Sequence, residues 1–115
     1  MNFASHTTGF LNFIVPYIKD VNVKLSLTAI AITNKLLVTE VDNLNSSYNM
    51  LAKALIEKLS DSKVVIRQAV LKCSGALIRT STPSKFSNFA ISYLDHTNWY
   101  VREGILHLLA NCLIV

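Results

Sequence analysis

Three histidines, two cysteines, seven acidic side chains and a single tryptophan are the residues of this 115-residue chain whose chemistry could do more than pack. His6, His96 and His107 share no metal-ligand spacing, and neither Cys73 nor Cys112 is placed to join them. The cysteines lie 39 residues apart with no CxxC partner, so a reduced cytosolic chain is the simpler reading than a disulfide framework. Both fall on an apolar stripe, where a small core residue is expected rather than a reactive thiol. No nucleophile elbow, P-loop, paired-carboxylate arrangement or dinucleotide fingerprint is present, and three glycines are few for phosphate-cradling loops. The chain is expected to be no enzyme, with no metal and no cofactor.

What remains is a recurrent polar stretch that leads into apolar sequence. "LSDSKVVIRQAVL" places Arg67 six residues after Asp61, and "LDHTNWYVREGIL" places Arg102 six residues after His96. An arginine so placed bonds back to the turn aspartate or to carbonyls of the adjacent repeat, which makes a ladder along a stack. Asp61 or Asp20 is the expected partner of Arg67. Arg102, which faces a histidine instead of an aspartate, is the freer of the two, with Glu103 and Asp95 close in sequence. Trp99 and Tyr100 stand just ahead of the apolar anchor Val101. Tyr100 is expected to pack, whereas Trp99 is read either as a cover over the neighbouring turn or as an exposed contact.

These stretches belong to a repeat. With Asp20, Asp61 and His96 as anchors, 41 and 35 residues apart, three segments align without gaps. Leu25, Ile66 and Val101 correspond, then Ala29, Val70 and Ile105, then Ile32, Cys73 and Leu108. Leu36, Leu77 and Cys112 follow, and then Leu37, Ile78 and Leu113. This is one face of a helix. Upstream, Phe10, Leu51 and Phe86 align, as do Ile14, Leu55 and Ala90, then Val15, Ile56 and Ile91, then Ile18, Leu59 and Leu94. Each unit is therefore predicted to be helix, tight turn, helix. Thr7 or Thr8, Ser46 or Ser47, and Thr82 followed by Pro83 supply start signals. Pro16 should bend or shorten the first helix. Gly104 shares its slot with Ala69 and Thr28, where paired helices should approach closely. The expectation is an all-α solenoid of about three antiparallel helix pairs forming one domain over 1–115, with units at about 7–38, 46–79 and 82–115.

Hydrophobic residues make up 51% of the chain and charged residues 16%, which excludes disorder and suggests that a neighbour covers some of the surface. The net charge of +4 is mild and scattered, with no basic run that would track a phosphate backbone, so no nucleic-acid partner is expected. "FLNFIVPYI" is about half a membrane span, and no membrane partner is expected.

Units of this length, with an Asp-x-x-x-x-apolar-Arg turn, resemble HEAT repeats. The second unit carries the pattern fully, through Asp61, Ile66 and Arg67. The third has His96 for the aspartate, and the first has Ser26 for the arginine. "DSKVVIR" and "HTNWYVREG" are most similar to the turns of TOG domains, in particular those of the CLASP and crescerin (TOG-array) families. The resemblance implies a flat paddle that binds tubulin along the edge formed by its turns and so regulates microtubule growth. Here that edge would be Lys19 to Asn22, Asp61 to Lys63 and His96 to Trp99. Lys19, Asn22, Ser62, Lys63, Thr97, Asn98 and Trp99 would make the contacts, and Asp20, Asp61, Arg67 and Arg102 would form the structural ladder. Cytoplasm and cytoskeleton are the implied location, with the cilium as a further one. A family domain stacks six units and this chain has three, so further repeats or another chain are expected to cover the apolar "ANCLIV" face. The main rival is a HEAT scaffold that binds another protein on a helix face; a marginally folded truncated paralogue is the third reading.

Overall fold

The computed structural model of the chain describes residues 12–39, 48–80 and 83–114. His6, Phe10, the start signals at Thr7, Thr8, Ser46, Ser47 and Thr82, and the side chains of Leu113, Ile114 and Val115 lie outside what is described. The described residues are helical, joined by short turns, and contain no strand. The all-α expectation is met.

Among the described residues six helices follow one another: α1 (12–18), α2 (Val23–Thr39), α3 (Tyr48–Lys58), α4 (Val64–Thr80), α5 (Pro83–Ile91) and α6 (Trp99–Ile114). Turns of four to seven residues join α1 to α2, α3 to α4 and α5 to α6, which makes each pair an antiparallel hairpin. α5 opens on Pro83, whose missing N–H is harmless at a first helical position. Pro16 lies in the last turn of α1, which ends two residues later at Ile18.

The hairpins stack side by side. α2 packs on α4 and α4 on α6, while α3 packs on α5 and reaches both α4 and α6. The resulting slab measures 43 × 32 × 19 Å, two helix diameters of about 10 Å in its thin direction. One continuous core runs through it. α1 supplies Ile14, Val15 and Ile18, α2 Ala29, Ile30, Leu36 and Leu37, α3 Leu51, Leu55 and Ile56, and α4 Ile66, Val70, Cys73 and Leu77; Phe86 of α5 and Val101, Ile105 and Leu108 of α6 are buried with them.

The aligned register holds in units two and three and, in unit one, at Ala29, Leu36 and Leu37, but it slips at the start of α2. Ile66 and Val101 are fully buried, but Leu25 is 46% exposed and Ser26, one residue on, is fully buried. The Ser26 hydroxyl donates to the carbonyl of Ile18 at 2.7 Å, a group that the end of α1 leaves without a helical partner. Satisfying that carbonyl turns the serine inward and carries Leu25 outward. Ile91 departs as well: it is exposed at the end of α5, whereas its counterparts Val15 and Ile56 are buried.

At the small-residue slot a close approach occurs at Gly104, but to Leu59 in the turn of the preceding hairpin and not to the paired helix α5. A Cβ there would lie 2.7, 3.2 and 3.4 Å from Cδ1, Cδ2 and Cγ of Leu59. At the matching positions Ala69 is half-buried and Thr28 is exposed. Because three atoms of a buried leucine are hit together, turning one methyl does not relieve the clash. Gly104→Ala is expected to lower stability by about 1 kcal/mol, with overpacking (about 1–3 kcal/mol) exceeding alanine's helix preference (about 1 kcal/mol). A thermal midpoint equal to or above that of the native chain would show that Leu59 yields.

Candidate functional site

The three intra-hairpin turns are built alike. The N–H of Asn22 donates to Asp20 Oδ1 at 2.8 Å, the N–H of Lys63 to Asp61 Oδ1 at 2.8 Å, and the N–H of Asn98 to His96 Nδ1 at 3.0 Å. Each bond spans two residues, the local turn that short acceptor side chains favour. The imidazole of His96 thus does the work of a carboxylate in the third turn. Asn22 and Asn98 then cap the helices that follow. Asn22 Oδ1 accepts from the N–H of Leu25 at 3.1 Å, and Asn98 Oδ1 from the N–H of Tyr100 at 2.9 Å. In the second turn Lys63 holds this slot, and only its backbone carbonyl accepts, from the N–H groups of Ile66 and Arg67.

A cation closes the carbonyl at the anchor position of every turn. Arg67 Nη1 donates to the Asp61 carbonyl at 2.8 Å, and Arg102 Nη1 to that of His96. Arg102 Nη1 also reaches the Thr97 carbonyl at 3.2 Å. Both arginines bond to backbone oxygen, so the loss of the turn aspartate at His96 does not free Arg102. In unit one, where Ser26 stands in the arginine's place, the cation comes from the next hairpin. Lys58 Nζ donates to the Asp20 carbonyl at 3.1 Å and pairs with Asp61 Oδ2 at 3.3 Å. Asp20 and Asp61 are thus tied together through Lys58. Lys58 was not legible as a ladder residue, although one signal was available: the matching positions in the other units, Tyr17 and Tyr93, are both tyrosine.

A second bridge joins turns two and three. The Arg67 guanidinium carbon lies 3.9 Å from the centroid of the Tyr100 ring, and Trp99 stacks on Tyr100 at 4.2 Å. Lys58 and Arg67 together set the three turns side by side along one rim. Tyr100 is half-buried, whereas Trp99 is 53% exposed at the first position of α6. Lys19, Asn22, Ser62, Lys63 and Thr97 are exposed on the same turns, and Asn98 is half-buried.

Asp61 is the turn group whose ionisation is shifted. Partial burial works against its charge, but the Lys63 N–H and the ammonium groups of Lys58 and Lys63 outweigh this and hold the carboxyl below its ordinary value. A carboxylate that ionises more readily in the folded chain adds stability above about pH 3.9, and this stability is lost as pH falls through the lower folded value. Stability is therefore expected to drop on acidification below about pH 4, and Asp61→Asn, which keeps an acceptor for the Lys63 N–H, should flatten that drop. Parallel urea midpoints for variant and native chain across this range would remove Asp61 from the account.

Other reactive groups sit apart from the rim. Burial pushes the thiol of Cys73 up to about 12 and also raises that of the half-buried Cys112, so both stay protonated at neutral pH. His107 is exposed on α6. Among the described residues no three His, Cys, Asp or Glu side chains gather where they could hold a metal. No described helix is long and apolar enough to cross a membrane. What the rim offers is a row of exposed amide, hydroxyl and ammonium groups with one flat aromatic surface, a means of contact.

No family model matches the sequence, and no solved structure matches it significantly. Over 100 residues the chain is 29% identical to the CLIP-associated protein of Arabidopsis thaliana, an alignment that covers 86% of this chain and 7% of that protein. The likeness supports a TOG-like relationship.

Proposed function

We propose that this chain is a microtubule-associated binding module that engages tubulin through the rim of its intra-hairpin turns. The observation that carries the reading is the rim itself: three turns of one design, bridged by Lys58 and Arg67, with Trp99 half-exposed among them. The turn sequences resemble those of TOG domains, and the likeness to a CLIP-associated protein points the same way. On this reading the Trp99 ring is the anchor, since a half-exposed tryptophan held by a neighbour loses little freedom when covered. Lys19 and Lys63 would meet acidic surface, and the free amide hydrogens of Asn22 and Asn98 would complete the contact. Cytoskeletal association follows from the same reading.

The test is co-elution with tubulin in gel filtration. Combined replacement of Trp99 by alanine and Lys63 by glutamate is expected to weaken association by about 30-fold, the ratio for a 2 kcal/mol anchor, with the helical circular dichroism unchanged. Equal co-elution of native and variant chains would refute the rim. A scaffold that binds another protein through a helix face is the second reading, favoured by the exposure of Val38, Val64 and Val65 on α2 and α4.

A further inference from the structure

We propose that the outer face of α2 and α4 is a second binding site, a groove that takes an acidic peptide segment bearing an apolar side chain. The two helices pack on each other, and between them lies a cavity of about 250 Å³ lined by Leu27, Ile30, Ala31, Asn34, Ala69 and Lys72. Ala31 and Ala69 keep it open: larger side chains there would fill it. Its floor is apolar, Asn34 offers an amide that can both donate and accept, and the exposed Lys72 stands on its rim.

Charge decides the occupant. α2 and α4 contain no aspartate or glutamate and, besides Arg67 at the turn rim, carry Lys24, Lys35, Lys72 and Arg79. Lys24, Leu27, Ala31 and Asn34 follow one stripe of α2, and Ala69, Lys72, Gly75 and Arg79 follow the facing stripe of α4. Arg79 folds back along its helix, with Nη1 3.6 Å from where a Gly75 Cβ would be, so the basic line continues past the groove. Lys72 and Arg79 leave the helix about 10 Å apart at 1.5 Å rise per residue, and the Arg79 guanidinium, folded back to Gly75, lies about one turn nearer to Lys72, within one Debye length of about 10 Å at 0.1 M salt. Their fields therefore act together on one ligand. No carboxylate on either helix competes for them. An acidic peptide with one apolar residue matches the site: carboxylates meet Lys72 on the groove's edge and Arg79 beyond it, and the apolar side chain enters the cavity beside Lys72. The groove lies several turns into the helices, away from the turn rim, and does not depend on what the rim binds.

Two labelled peptides measure this by fluorescence anisotropy with the full chain: one of glutamates with a single leucine between them, and an all-glutamate peptide of equal length. The leucine peptide is expected to bind more tightly than the all-glutamate one and to weaken as salt rises. Lys72→Glu should weaken it about tenfold. Ala69→Leu, which fills the cavity, should bring it down to the affinity of the all-glutamate peptide. Trp99→Ala should leave it unchanged, which separates this site from the rim. Equal affinity of the two peptides, native-like binding by Lys72→Glu, or loss of binding in Trp99→Ala would each overturn the proposal.

Discussion

Arg67→Met is expected to lower the free energy of unfolding by about 2–3 kcal/mol, a large fraction of the stability of a small domain. Methionine keeps the apolar stem but removes the guanidinium that holds two hairpins together. One loss is a charge-assisted bond to the Asp61 carbonyl at 2.8 Å, a class that contributes about 1.5–3 kcal/mol. The other is the cation over the Tyr100 ring at 3.9 Å, which contributes about 0.5–2 kcal/mol depending on desolvation. Arg67→Lys should recover only part of this, because an ammonium cannot bond the carbonyl and lie flat on the ring at once. Urea denaturation measures the loss, and a double-mutant cycle with Tyr100→Leu isolates the ring contact, for which a coupling of about 1 kcal/mol is expected. A single-variant loss below about 0.5 kcal/mol, the size of an ordinary surface change, would mean that Arg67 holds nothing together.

Lys58→Met should cost about 2 kcal/mol. The lysine is no ordinary surface ion-pair member: its side chain is only 12% exposed, and it serves the Asp20 carbonyl and the Asp61 carboxylate together. Removing it leaves the carbonyl without a donor and the carboxylate without its nearest cation. Asp61→Asn should therefore do less harm in the Lys58→Met background than alone, a non-additivity expected of groups in one network. Amide hydrogen exchange should quicken in the first turn, around Asn22, more than in the third. Additive losses and uniform exchange would show that Lys58 joins nothing.

The helix pairs, the turns between them and most of the core were legible in the sequence, because a stripe at helical spacing repeated three times leaves little choice of fold. Cys73, Val70 and Ile105 sit where that spacing puts them. The inward turn of Ser26 at the start of α2 was not legible. The serine is buried because it bonds the Ile18 carbonyl, and a hydroxyl reads as polar until its partner is known. Arg67 was expected to meet Asp61, and it meets the backbone oxygen of that residue; a motif names residues, whereas the bond is made between atoms. The pairing of Arg67 with Tyr100 and of Lys58 with Asp20 crosses from one unit to the next, so it has no local signature. The groove at Ala31 and Ala69 arises from which two helices adjoin, and spacing within a single helix does not show it.

The closing of turn carbonyls also has a direction. Hairpins two and three each supply their own cation from within, whereas hairpin one depends on a side chain belonging to hairpin two. In a one-dimensional array, a member that leans on its neighbour is the first to detach, and its departure leaves the neighbour's own closure in place. Of the three described hairpins, the first is thus the one held least by its own side chains.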